Sequence, residues 1–75
     1  MNEHLKTRLV RVNDSLYLSL RTIDQALSEE QATIELAHEL SRLLNQMEIG
    51  SHLKQDIKEA EQEAYREVEE GANNG

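Results

Sequence analysis

The stretch LKTRLVRVNDSLYLSLRTIDQAL, residues 5–27, decides the fold class. Its apolar members Leu5, Leu9, Val12, Leu16, Leu20, Ile23 and Leu27 are separated by 4, 3, 4, 4, 3 and 4 residues. At 3.6 residues per turn that spacing keeps one stripe on one face of a helix, whereas a half-buried strand would need strict alternation. Neither proline nor glycine interrupts it, so the spacing predicts a single helix over about 3–27.

Downstream, Ser28-Glu29-Glu30-Gln31 has the form of a capping box, in which the serine hydroxyl accepts from the third helical N–H and Gln31 reaches back. A second helix over about 29–48 follows, with Leu36, Ala37, Leu40, Leu43, Leu44 and Met47 inside an arc of about 120°. Gly50 ends it and Ser51 offers the next N-cap. Leu53, Ile57, Ala60, Ala64 and Val68 then mark a third helix over about 52–69, whose alanines bury little area. The expectation is an all-α, antiparallel (up-down-up) three-helix bundle, or a helical hairpin with a third helix. It forms a single domain over 1–70 with a disordered tail over 71–75. The first helix exceeds the others by several residues, so part of its stripe is left for a second copy, and a homodimer is expected.

Composition fits this class. The 75 residues contain two tyrosines, no Phe or Trp, no cysteine and no proline, so the core is aliphatic and unstapled. Without cysteine there is no disulfide framework, thiolate nucleophile or Cys-based zinc site. The net charge of −7 opposes direct nucleic-acid binding, which depends on neutralising phosphates. Residues 1–27 carry four basic groups against three acids, and residues 28–75 carry four against twelve. Apolar runs do not exceed three residues, against the roughly 20 that span a bilayer, so neither membrane nor signal segment is expected and a cytoplasmic location follows.

Few constellations could carry chemistry. Glu35 and His38 have the Glu-x-x-His spacing of carboxylate-bridged di-metal helices, but the wheel turns both away from the apolar arc, toward water. His4 and His52 each sit near a helix start, and in an up-down-up bundle those two starts share an end. The serines lie in no strand-turn-helix elbow, and there is no glycine-rich phosphate loop. No catalytic residue, metal or cofactor is assigned.

Two surfaces remain. Val10 and Tyr17 stand seven apart and off the main stripe, with Asp14 and Arg21 on the same line. They either broaden the core or form a helix-on-helix docking strip anchored by the Tyr17 ring. On the third helix Asp56, Glu59, Glu63 and Glu67 form an acidic face, either a solvated surface or a mimic of phosphates aimed at a nucleic-acid-binding protein. The sequence thus suggests a non-enzymatic interaction or regulatory protein whose partner is another protein, with an acidic inhibitor or antirepressor as the alternative.

The segment Ile34-Glu35-Leu36-Ala37-His38-Glu39-Leu40-Ser41-Arg42-Leu43-Leu44-Asn45-Gln46 resembles the second helix of the small aspartyl-phosphate phosphatases that act on sporulation response regulators. Those are helical hairpins with a Ser-Gln-Glu-Leu-Asp signature, matched here by Ala37, His38, Glu39, Leu40 and Ser41, so the signature Ser and Asp are absent. The resemblance implies, as a lesser alternative, a response-regulator-binding hairpin.

Overall fold

A computed structural model describes residues 1–16, 21–46, 48 and 50–74, with side chains for all of these except 46 and 72–74. Among them all regular structure is helical: α1 Glu3–Leu16, α2 Arg21–Glu29, α3 Ile34–Gln46 and α4 Ser51–Asn74. The all-α expectation holds, but the count of three does not. A single helix over 3–27 would set Asn13 and Asp24 about 16 Å apart along its axis at 1.5 Å per residue. Instead the Asn13 side-chain amide donates to Asp24 Oδ1 at 2.8 Å, and Lys6 Nζ donates to Glu30 Oε1 at 2.5 Å. α2 therefore runs antiparallel to α1. Of the long stripe, Leu5, Leu9 and Val12 on α1 and Ile23 on α2 are buried within one chain, Leu16 and Leu27 are half-buried, and Ala26 joins the core beside them. Tyr17, Leu18, Leu20 and Met47 lie outside the described residues.

The remaining helices close a ring. Arg8 Nε donates to Glu59 at 3.0 Å and Asn2 Nδ2 to Glu67 at 3.0 Å, so α1 and α4 are antiparallel. His38 faces Tyr65 and Ser41 donates to Glu61, which sets α3 antiparallel to α4. Among the described residues the backbones come close between α1 and α2, α2 and α3, α3 and α4, and α4 and α1, and not between diagonal helices. This is an up-down-up-down four-helix arrangement. Its 24-residue α4 spans about 36 Å, close to the full 37 Å length of the molecule.

The helix ends explain where the turns fall. Asn2 caps α1, its Oδ1 accepting from the Leu5 N–H at 2.8 Å. At the end of α2 the Gln31 N–H reaches Ala26 O at 3.1 Å and the Glu30 N–H reaches Leu27 O at 3.3 Å. These are the two bonds of a Schellman turn, and Glu30 holds its left-handed position at φ 53°. Ser28 is thus in the last turn of α2, and the expected capping box does not open a helix there. Thr33 does so, its Oγ1 accepting from the Leu36 N–H at 3.1 Å. Gly50 rather than Ser51 takes the cap place of α4, because its carbonyl accepts the first helical bond, from Lys54, at 2.9 Å. At the far end α4 runs through Gly71 to Asn74, past the boundary expected at 69. Thr33→Ala should therefore cost about 1 kcal/mol in urea denaturation followed by circular dichroism, whereas Ser28→Ala should change stability by less than about 0.5 kcal/mol. The reverse ranking would restore the capping box.

The core draws on all four helices, with Leu36, Ala37, Leu40 and Leu43 of α3 and Ile57, Ala60 and Ala64 of α4 meeting the buried faces of α1 and α2. α4 makes the two closest seams of the ring, an approach of backbones that the small, buried Ala60 and Ala64 allow. Among the described residues no helix is long and apolar enough to cross a membrane.

Candidate functional site

The docking strip is where the two sequence readings part. Leu9 and Val12 are fully buried while Val10 is 46% exposed, so Val10 does not broaden the core but stands on the outer face of α1. Arg11 and Asp14 are exposed on the same helix. Tyr17, the expected anchor, lies outside the described residues. Arg21 is exposed but begins α2, which runs the other way, so it does not prolong the α1 line. The other exposed large apolar residue, Ile34 at 40%, opens α3 on the diagonal helix and belongs to a different surface.

The expected acidic face is instead the α1–α4 seam. Glu59 accepts from Arg8 at 3.0 Å and from Gln55 at 3.2 Å, and Glu63 Oε1 lies 3.7 Å from Arg8 and 3.9 Å from Arg66. Glu67 accepts from the Asn2 side chain at 3.0 Å and its backbone N–H at 3.3 Å, with the Met1 amino group 3.5 Å away. Three of the four carboxylates are thus held by α1, and Asp56 is half-buried. A groove of about 360 Å³ along this seam is lined by Arg8, Glu59, Gln62, Glu63 and Arg66, and Glu63 Oε2 is buried there without a hydrogen bond. A second groove, of about 320 Å³, lies between α2 and α3 and is lined by Thr22, Gln25, Ala26, Glu29, Thr33 and Glu35.

Hydrogen bonding, and then charge, shifts three groups at these seams. The Gln55 amide and then the Arg8 guanidinium hold the Glu59 carboxyl below its usual 4.5. The hydrogen bond and charge of Lys6 lower Glu30 in the same way, and Glu30 in turn raises Lys6 above 10.5. A lowered carboxylate adds stability that is present above 4.5 and lost as pH falls through its folded value. A raised ammonium adds stability that is present below 10.5 and lost as pH rises through its folded value. Denaturant midpoints measured against pH should form a plateau between those limits, with losses on both flanks that shrink in high salt because the pairs are solvated. A midpoint that rises on acidification below 4.5 would contradict these assignments.

Glu35 and His38 are both exposed on α3, and the His38 ring lies 6.4 Å from that of Tyr65 at a 59° tilt. Among the described residues no three His, Asp or Glu side chains are grouped to hold a metal ion. His4 and His52 stand at opposite ends of the molecule, because α1 and α4 are antiparallel and an extra turn reverses every later helix. Where the phosphatase signature would stand, Ala37 is in the core and Ser41 is bonded to Glu61. The seam pairs Lys6–Glu30, Arg8–Glu59 and Asn2–Glu67 escaped the sequence reading because their registers depend on topology. Only Asn2, ahead of the first apolar residue, was recognisable there as a cap.

The chain matches no known protein family, no curated protein and no solved structure.

Proposed function

We propose that this protein is a non-enzymatic, cytoplasmic interaction protein that binds another protein by helix-on-helix docking on the outer face of α1, around Val10. The observation that carries this reading is the exposure of Val10 between the fully buried Leu9 and Val12. An apolar side chain turned to water beside the exposed Arg11 and Asp14 supplies a small hydrophobic contact inside a charged rim, the usual anatomy of a docking patch. The acidic-inhibitor reading has less to draw on, since Glu59, Glu63 and Glu67 are already engaged by α1. The homodimer expected from a surplus length of the first helix loses that ground too, because α1 has only 14 residues.

The test places a photo-crosslinking amino acid at position 10 and, separately, at Lys58 on the exposed side of α4. A partner should be captured from position 10 alone. Val10→Glu should leave helicity and the denaturation midpoint within about 0.5 kcal/mol of the parent and weaken capture by about tenfold or more. Equal capture from both positions, or binding untouched by Val10→Glu, would remove α1 from the proposal.

A further inference from the structure

Where α2 stops, α3 starts and α4 nears its end, the bundle carries a surface apart from the outer face of α1. His38 faces Tyr65 and Ser41 is bonded to Glu61 across the antiparallel α3 and α4. In that register Ile34, one turn before His38, comes beside Val68 and Glu69, one turn after Tyr65. Ile34 is 40% exposed, next to the half-buried Tyr65 and the exposed His38 and Glu69. On the other flank of the same first turn, Thr33 and Glu35 face Thr22, Gln25 and Glu29 of α2 across the groove of about 320 Å³, which reaches down to the buried Ala26.

The charge of this end runs against helix preference. A helix C-terminus is the negative end of the peptide dipole and favours cations. Yet neither α2 nor α4 has a basic residue in its last turn; α2 ends on Glu29 with Glu30 next, and α4 carries Glu69 and Glu70 close to its end. Of the basic side chains nearby, Lys6 is taken by Glu30 and Arg66 lies against Glu63. Among the described residues Glu35, Glu69 and Glu70 make no ion pair or hydrogen bond through their side chains. Like charges gathered around an exposed isoleucine, at helix ends that disfavour them, cost stability, and departures of this kind from local preference are expected at functional surfaces.

We propose that this end docks a basic segment of another protein: a lysine or arginine side chain enters the α2–α3 groove between Glu29 and Glu35, and an apolar neighbour in the same segment packs on Ile34 beside Tyr65. Charge complementarity sets the occupant. A second copy meeting end to end would bring the same carboxylates into contact, and phosphate-rich surfaces are repelled. The Glu29 and Glu35 carboxylates and the Thr22 and Thr33 hydroxyls around the groove all accept hydrogen bonds, which suits a cationic head that only donates. Ile34 adds the share of the binding that salt does not screen. This surface does not depend on the docking reading at Val10, which lies on the diagonal helix.

The test selects binders of the full chain from a phage-displayed library of random peptides and titrates the strongest of them, made synthetically, into ¹⁵N-labelled protein. The selected peptides should carry lysine or arginine within a few residues of a large apolar side chain. They should move the amide signals of Glu29, Thr33, Ile34, Glu35 and Glu69, and weaken as salt is raised. Ile34→Lys should lower their affinity about tenfold or more, and so should the pair Glu29→Lys with Glu35→Lys, the amide spectrum showing that each variant is folded. Val10→Glu should bind them as the parent does. A selection without binders, peptides free of basic residues, or equal binding by the parent and both sets of variants overturns the proposal. So do binders whose signals move around Val10 and Arg11, an outcome that leaves the α1 reading standing.

Discussion

Ile57→Ala is expected to bring the protein close to the limit of folding. Ile57 is fully buried, and among the described residues of α4 it is the one bulky side chain at a buried position, the others being Ala60 and Ala64. Removing it takes away packing and leaves a cavity that short flanking helices close only in part, a change that costs about 2–5 kcal/mol. A 75-residue domain without disulfide or metal has roughly 4–11 kcal/mol to lose. Urea unfolding followed at the helical band should therefore show a midpoint lowered by a large fraction with little change of slope. Leu53→Ala, at a half-buried position one turn earlier, should cost clearly less. Equal and small losses at both positions would mean that α4 does not share the core of the other three helices.

The parts of this fold that were legible in the sequence are those decided within one or two turns of chain. The buried faces Leu5-Leu9-Val12, Leu36-Ala37-Leu40-Leu43 and Ile57-Ala60-Ala64 were all set by spacing alone, and the structure buries each of them. Chain reversal is a different kind of property. It was legible at Gly50, where a glycine breaks the pattern, but not between α1 and α2, where the apolar phase of the sequence runs on. That one missed turn changed everything counted from it: the number of helices, the end at which His52 stands, and the neighbour that the acidic row meets.

The candidate surfaces divide in the same manner. Val10 was placed off the stripe by a helical wheel, a local argument, and it is exposed. Glu59, Glu63 and Glu67 recur at helical spacing, a local property, but whether they met water or Arg8 and Asn2 depended on which helix came to lie beside them. Ser28 and Thr33 show the limit at the scale of a cap. Both are hydroxyl residues ahead of an apolar run, and the Schellman turn at Glu30 decides between them by ending α2 first.

Ala60→Leu is expected to destabilise the protein although it adds apolar area and leaves helix propensity almost unchanged. Ala60 is fully buried on the helix that touches both α1 and α3, so a larger side chain there has to displace one of two seams. Overpacking of this kind costs about 1–3 kcal/mol, which for a domain of this size lowers the melting temperature by roughly 4–8 °C per kcal/mol. Gln62→Leu, two residues on and exposed, adds the same kind of side chain outside the bundle and should leave the melting temperature within a few degrees. The comparison decides what the alanines of α4 do. If they are weak positions on a loosely held helix, leucine fills a gap and the melting temperature rises. If they are small because α4 lies close against two neighbours, the melting temperature falls, and the fall should be larger in Ala60→Leu than in Val68→Leu, where α4 is only half-buried.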